Sequence, residues 1–326
     1  MADVRERYYA GVDLGGTNVR AAIVVASGEV RSEVVKVPTP KDKGPDAVMD
    51  AIVEIIRGAV DAAGVELAAL EAIGIGSPGP LNSDTGRILY TPNLEGFENY
   101  PVTERIMKAT GRSAVLEGDA NVACYGEWWM GAGRGTRSMV MFTLGTGVGG
   151  GIVLDGGIWR GPHYTAGHLG HIIIDPEGPP CGCGARGCLE AFASATAVAR
   201  SARDALAASG RNELGGVPLD KITSREVAIA AAAGDGDMQA VLADAGRILG
   251  RAFVDVANVI DPELIVVGGG MVDAGEHLLG PAVAVLRKTA LYPPREKVRV
   301  EKAALGDMAG IIGAAGCARK RYATSR

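Results

Sequence analysis

The sequence predicts an α/β protein of two domains built on a duplicated pattern. A glycine-rich turn between strands stands near the start, in Asp13-Leu-Gly-Gly-Thr17, and another in Leu144-Gly-Thr-Gly147, about 130 residues later. Strand, Gly/Thr turn, strand, turn, strand therefore occurs twice, which reads as a duplicated architecture, not a short solenoid repeat. The remaining segments are short apolar strands and longer helical stripes, and 326 residues suffice for two cores. No long linker separates the halves, so they are expected to pack across a cleft.

In chain order, Arg7–Leu14 reads as a strand ending at Asp13, Gly15–Asn18 as its turn, Val19–Ala26 as the return strand and Glu29–Val37 as a third. Asp46–Ala63 carries Val48, Ile52, Ile55, Ile56, Ala59 and Val60 on one helical stripe. Leu70–Ile75 is a strand leading into Gly76-Ser-Pro-Gly-Pro80, followed by a turn at 82–86 and an irregular loop at 92–96. A helix at Thr103–Thr110 precedes a strand at Ala114–Leu116, which delivers Glu117-Gly-Asp-Ala-Asn121 and a helix through Trp129. Ser138–Leu144 and Gly149–Leu154 are the strands of the second opening. Helices follow at Ala195–Ser209, Ser224–Ala233 and Met238–Val259, the last with Leu242, Ala245, Leu249, Ala252, Phe253 and Val256 on one stripe. Glu263–Val267 is a buried-type strand ending in Gly268-Gly269-Gly270. A helix at 276–289, a strand at 298–302 and a helix at 308–322 complete the chain.

Hydrophobic residues at 47 % and charged residues at 22 % place the chain among ordinary globular proteins. A net charge of −5 argues against a nucleic-acid partner, which needs a basic surface. No apolar run approaches the ~20 residues of a membrane span, and the start lacks the apolar core of a signal peptide. The expectation is a cytoplasmic protein without a membrane partner, in which Cys124 and Cys317 are buried thiols and not a disulfide.

The densest chemistry lies in 166–190, AGHLGHIIIDPEGPPCGCGARGCLE. Cys181, Cys183 and Cys188 stand within eight positions of one another, with His168 and His171 just upstream. Three thiolates and one imidazole form a plausible tetrahedral Cys₃His zinc shell, and a four-ligand site has no open position, so the metal reads as structural. A zinc-bound His171 would also use its second nitrogen for a hydrogen bond, which leaves a ligand-facing role open.

The two glycine turns suit phosphate. Backbone amides without a neighbouring Cβ approach phosphate oxygens closely, Thr17 adds a hydroxyl, and Asp13 could position Mg²⁺ through water. The competing reading of each turn is plain hairpin chemistry. Neither ends in the Gly-Lys-Ser/Thr of a P-loop, and neither leads at once into a helix as a Rossmann fingerprint does. Asp119, between a strand and a helix, is either a base for a substrate hydroxyl or a helix N-cap. Gly268–Gly270 either admits a flat base to the backbone or simply turns the chain.

These motifs resemble the ROK family (repressor, open reading frame, kinase) of sugar kinases within the actin-like (ribonuclease H-like) ATPase fold. The resemblance covers nearly the whole chain. It rests on Asp13–Thr17, Gly76–Pro80, Pro92-Asn93-Leu94, Asp119-Ala-Asn121, Leu144–Gly147, Gly170-His171 and Cys181-Gly-Cys-Gly-Ala-Arg-Gly-Cys-Leu-Glu190, the last being the most specific. It implies ATP-dependent phosphorylation of a hexose 6-hydroxyl, with glucose first and N-acetylmannosamine, N-acetylglucosamine or another hexose as alternatives. Asp119 would be the base. Asp13, Gly15, Gly16, Thr17, Asn18, Gly145, Thr146, Gly147 and Gly149 would serve the ATP phosphates, and Gly268, Gly269 and Gly270 the adenosine. Gly79, Asn93, Asp119, His168, His171 and Glu190 would contact the sugar, while His171, Cys181, Cys183 and Cys188 hold zinc. ATP, Mg²⁺ and zinc are the expected cofactors, and a homodimer is expected on the resemblance alone. The expected division is 1–118 with a C-terminal helix at about 308–326, against 119–307 with the zinc loop.

Two positions depart from the family pattern. His168 stands where Glu is common; a carboxylate accepts from two hydroxyls, whereas a neutral imidazole offers one acceptor and one donor. Gly118 stands where Asn is common, which removes an amide. Both fall on sugar-reading positions, so the reaction type is better defined than the sugar. The other class in the family is the sugar-responsive repressor, whose helix-turn-helix domain precedes the first phosphate motif; twelve residues before Asp13 are too few for one. A non-catalytic sugar or nucleotide sensor is the third reading, opposed by the intact Asp119 and two intact turns.

Overall fold

The computed structural model describes residues 6–91 and 95–322. In chain order they form β1 (Tyr8–Leu14), β2 (Asn18–Val25), β3 (Val35–Pro38), α1 (Pro45–Ala63), β4 (Leu70–Ser77), β5 (Leu81–Asn82), β6 (Arg87–Ile88), α2 (Val102–Thr110), β7 (Ser113–Gly118) and α3 (Asp119–Met130). There follow β8 (Met139–Leu144), β9 (Val148–Leu154), β10 (Gly157–Ile158), α4 (Glu190–Ala193), α5 (Ala195–Ala208), β11 (Glu213–Leu214), β12 (Val217–Pro218) and α6 (Ser224–Ala232). The chain ends with α7 (Gly236–Val259), β13 (Leu264–Gly268), α8 (Glu276–Thr289), α9 (Pro294–Lys297), β14 (Arg299–Lys302) and α10 (Ala309–Tyr322).

Two five-stranded sheets share one plan, β3-β2-β1-β4-β7 and β10-β9-β8-β13-β14. In the first, β1 pairs antiparallel with β2 and parallel with β4, and β4 pairs parallel with β7. In the second, β13 runs parallel to both β8 and β14. The duplication read from the two glycine turns is therefore a duplication of sheet order. The third strands are shorter than expected. Where Glu29–Val37 is expected, the strand is Val35–Pro38, with a single bridge from Val30 to Val24 ahead of it. The cause is local: the Ser32 hydroxyl accepts the Ile23 N–H at 3.0 Å, replacing the backbone carbonyl a continuous ladder would use.

Contacts divide the chain into a first unit of Met1–Gly135, Gly151–Ala166 and Ala304–Arg326 and a second of Thr136–Gly150 and Gly167–Ala303. The expected division at 118/119 runs elsewhere, because α3 belongs with the first unit. It crosses α10 almost backbone to backbone. A Cβ on Gly313 would meet the Val122 carbonyl at 1.7 Å, and one on Gly126 the Ala309 carbonyl at 2.3 Å.

The first unit buries its sheet on both faces, so β1 and β4 are nearly continuous apolar runs. The stripe predicted for α1 is its buried face, with Val48, Ile52, Ile55, Ile56, Ala59 and Val60 packed on Val12, Leu14, Ile23 and Ile75. On the other face α10 lies directly on strand backbone, a fit that Gly11 and Gly74 permit. In the second unit α7 and α8 pack closely at Gly246 and Gly250, and Phe142 meets Phe253 at 5.2 Å between centroids. Among the described residues no helix is long and apolar enough to cross a membrane.

Candidate functional site

Each unit presents a glycine turn with its threonine exposed at the tip, Thr17 in one and Thr146 in the other. In the first, the Gly15 N–H donates to the Asn18 carbonyl at 3.0 Å. Thr39, remote in sequence, braces it twice: its hydroxyl donates to the Gly15 carbonyl at 2.6 Å and its N–H to the Thr17 carbonyl at 2.9 Å. In the second, the Gly145 N–H donates to the Gly147 carbonyl at 2.9 Å, the Ala195 N–H to the Gly145 carbonyl at 2.8 Å, and the Thr196 hydroxyl to the Thr146 carbonyl at 2.8 Å. Two independent turns are thus held from behind by a threonine, with their tips left open. Gly269, at a φ of +86°, has no room for a side chain against the Leu144 backbone, so its glycine is required by the fold whatever else it does.

Asp13 sits opposite Arg20 in the β1–β2 register and forms an ion pair with it. Arg20 also reaches Asp307 at 3.8 Å. One half-buried carboxylate, with a second exposed acid nearby, is a thin set of ligands of the kind Mg²⁺ accepts, because that ion keeps several waters and leans on the substrate's phosphates. Sequence reading missed Arg20, Thr39 and Thr196. The alternation of β2 does place Arg20 across from Asp13, but only once the hairpin register is assumed.

Asp119 is exposed and is the first residue of α3, not its cap; the cap position belongs to Gly118, which offers no side chain. Asp119 Oδ1 accepts the Ala120 N–H at 2.7 Å. The strand behind it is anchored by Glu117, only 2 % exposed. Glu117 pairs with Arg160, and its Oε1 accepts from the Gly118 N–H at 3.0 Å and Asn121 Nδ2 at 2.9 Å. Those two partners flank Asp119 in sequence. Gly118 has ordinary extended angles (φ −62°, ψ 141°), and a Cβ there would meet nothing closer than Asn121 Nδ2 at 3.5 Å. Neither backbone nor packing demands this glycine. Gly79 is the opposite case: at a φ of +98° a Cβ would strike the Tyr90 carbonyl at 2.4 Å. Asn93 lies outside the described residues.

The predicted metal ligands converge. One donor atom from each of His171, Cys181, Cys183 and Cys188 lies within 4.8 Å of every other. Cys181 Sγ is 3.7 Å from His171 Nδ1, and Cys183 Sγ is 3.7 Å from Cys188 Sγ. Thiolates about 2.3 Å from a tetrahedral zinc stand about 3.8 Å apart, so these edges fit the ion. The loop is shaped for it by short hydrogen bonds, Cys181 N–H to the Ala185 carbonyl at 2.8 Å and Gly187 N–H to the Pro179 carbonyl at 2.8 Å. Burial pushes the Cys188 thiol up to about 12, whereas the Ala185 N–H lowers that of Cys183. Among the described residues no cysteine is in a disulfide; Cys124 is buried, and Cys317 is half-buried rather than fully so.

Glu190, expected at the sugar, begins α4 and is half-buried. Its Oε2 accepts the Val148 N–H at 2.9 Å, beside Gly147, and its Oε1 lies 3.7 Å from Cys181 Sγ. The same carboxylate therefore touches the metal cluster and the second glycine turn. His168 and His171 are both exposed, with rings stacked at 6.2 Å between centroids and 24° between planes.

Two five-stranded sheets of one order, each with a braced glycine turn, and a Cys₃His loop in the second unit define an actin-like ATPase fold with a side-chain group suited to a structural zinc. The family model described as "ROK family" matches residues 9–321. A glucokinase of Halalkalibacterium halodurans is 37 % identical over 312 residues, 94 % of each chain. Among solved structures, a ROK hexokinase from Thermus thermophilus is 36 % identical with a TM-score of 0.82, over 98 % of this chain and 100 % of that one. A ROK family glucokinase from Streptomyces griseus, in complex with glucose and AMPPNP, is 34 % identical with a TM-score of 0.80, over 96 % and 99 %. The chain belongs to the ROK family.

Proposed function

We propose that the protein transfers the γ-phosphoryl group of ATP to the 6-hydroxyl of a hexose, with glucose the preferred acceptor. The observation that carries this reading is Asp119: an exposed carboxylate at the start of α3, not used as its cap, in a chain akin over its length to a glucokinase that binds glucose and an ATP analogue. Asp119 takes the hydroxyl proton as the sugar oxygen attacks the γ-phosphorus in line. The new O–P bond replaces the bond to the bridging oxygen, and ADP leaves with its terminal phosphate charge. The amides of Gly15–Asn18 and Gly145–Gly149 take up charge on the phosphate oxygens, and Gly268–Gly270 lie beside the adenosine. Asp13 would hold Mg²⁺ through water, and the ion would supply charge neutralisation on those oxygens.

Gly79, Asn93, His168, His171 and Glu190 complete the sugar contacts in this reading. Glu190 Oε2 already accepts from the Val148 N–H, so in this reading the sugar shares that carboxylate with the second glycine turn. Zinc would be held by His171, Cys181, Cys183 and Cys188, and would supply rigidity to the loop that carries both histidines. The homodimer belongs to the same reading, and light scattering on the eluting protein decides it.

The experiment is ADP release from Mg·ATP across glucose, mannose, fructose, allose, glucosamine and the two N-acetylhexosamines. Asp119→Asn, expected to lower kcat by at least ~10²-fold without loss of fold, is the control. Activity centred on glucose supports the reading. Activity centred on another sugar means Gly118 and His168 have retuned the acceptor. Near-wild-type turnover by Asp119→Asn, or no activity on any sugar while ATP still binds, overturns the assignment.

A further inference from the structure

A cavity of about 420 Å³ lies within the first unit, along the outer edge of β7. Its wall includes Ser83 and Asp84 of the β5–β6 hairpin, Glu117, Arg160, and Lys320 and Arg321 near the end of α10. None of these belongs to the predicted phosphate, sugar or metal positions. Ser83 is 6 % exposed, yet its hydroxyl has no hydrogen-bond partner among the described residues. Buried polar groups are paired as a rule, and an unmet hydroxyl at the wall of a cavity marks a place where a ligand or water completes the set.

The charges define the ligand. Glu117 is paired with Arg160, and Asp84 accepts the Tyr164 hydroxyl at 2.6 Å. Lys320 Nζ is turned to the neutral Gly156 carbonyl at 2.6 Å, and Arg321 is exposed. Three cations face two carboxylates that already have partners, so an anion is the complementary guest. A phosphate monoester brings nearly two charges and three acceptor oxygens, which suits a guanidinium–ammonium cluster. Asp84 and Glu117 keep lone pairs that accept from hydroxyls, and the volume falls within the range of small-molecule sites, about 300–1,000 Å³.

We propose that this cavity binds a phosphate monoester of a small polyhydroxylated molecule, and that its occupancy is felt at Asp119 through Arg160 and Glu117. A phosphate that draws the Arg160 guanidinium weakens its hold on Glu117, the group that fixes Gly118 N–H and Asn121 Nδ2 on either side of Asp119. On the kinase reading, on which this second clause rests, the guest lowers kcat without competing with the sugar.

The test is calorimetric titration with glucose 6-phosphate, inorganic phosphate and glucose, on wild type, Arg321→Ala, Lys320→Ala and Asp119→Asn. Arg321 is exposed at the end of a helix, so its variant leaves the fold intact. The expected result is glucose 6-phosphate binding that weakens about tenfold or more in both cavity variants and persists in Asp119→Asn. Inorganic phosphate should bind more weakly than the ester. Absence of binding overturns the proposal, as does binding indifferent to both cavity variants but lost with Asp119→Asn, which would be product at the acceptor site. Equal affinity for inorganic phosphate overturns the polyhydroxylated part. Should no kinase activity exist while the cavity variants still lose the ester, the site stands and only its link to catalysis falls.

Discussion

Glu190 Oε2 accepts the Val148 N–H at 2.9 Å, while Oε1 of the same side chain lies 3.7 Å from Cys181 Sγ. One carboxylate thus joins the metal loop to the glycine turn assigned to phosphate, and Gly147 has no Cβ because one would stand 2.4 Å from that oxygen. Glu190→Ala should free the turn and raise the KM for ATP by about tenfold, the scale of a charge-assisted hydrogen bond to a backbone N–H. Glu190→Gln keeps one acceptor oxygen for Val148 and should stay within about threefold. Binding of an ATP analogue without sugar separates this bracing from any sugar contact. Unchanged nucleotide affinity in Glu190→Ala would show that the hydrogen bond is incidental.

The Cys₃His cluster predicts one zinc per chain by metal analysis, because its donor spacing already matches the ion. Cys183→Ser should lose the metal, lower Tm by several degrees and speed hydrogen exchange across 171–190, since structural zinc contributes directly to folding. Cys124→Ser, away from the cluster, should keep full occupancy. A purified, active protein without zinc would rule out the structural role.

What the sequence revealed follows how local each feature is. The Cys₃His cluster was legible because its three cysteines stand within eight positions and a short loop brings them together. The duplicated sheet was legible because each turn lies between its own two strands. Thr39 and Thr196 were not legible: each braces a turn from 24 and 50 residues away, and no periodicity or motif marks such a hydroxyl. The place of α3 was missed for a related reason. Its backbone contact with α10 depends on Gly126 and Gly313, nearly two hundred residues apart, and each glycine alone reads only as a weak helix former. Likewise Asp119 looked like a cap by residue type, and only the helix start one residue earlier than a cap allows showed that it is not.

Asp235 caps α7, accepting the Asp237 N–H at 3.1 Å and the Met238 N–H at 3.2 Å. Arg211, at 2.7 Å, is the main reason its carboxyl is held below the ordinary 3.8. A depressed folded value means the contribution is fully present above the unfolded value and is lost as pH falls through the folded one. Asn is an equally good cap but carries no charge, so Asp235→Asn should cost up to about 1 kcal/mol near pH 7, the range of exposed ion pairs. That gap should shrink towards about pH 3 as the wild-type carboxylate protonates. Urea midpoints at the two pH values measure it, and a gap independent of pH would remove the ion pair as its source.

Glu127 is fully buried, and its hydrogen-bond partners explain why it is tolerated there. Oε1 accepts the Leu305 N–H at 2.7 Å, and Oε2 accepts the Ala132 and Ala304 N–H groups at 3.0 Å each. The carboxylate therefore ties the end of α3 to the segment that re-enters the first unit ahead of α10, within one hydrogen-bonded knot. Glu127→Gln can satisfy one side of the knot but turns an amide donor towards N–H groups on the other. It should lose about 1.5–3 kcal/mol, the value of hydrogen bonds to a charged group. Glu127→Ala leaves all three donors unpaired and adds a cavity, so its loss should be larger. Urea denaturation of both variants ranks the two effects. A Glu127→Gln protein within about 0.5 kcal/mol of wild type, the range of an ordinary surface change, would mean that water enters and replaces the lost acceptor.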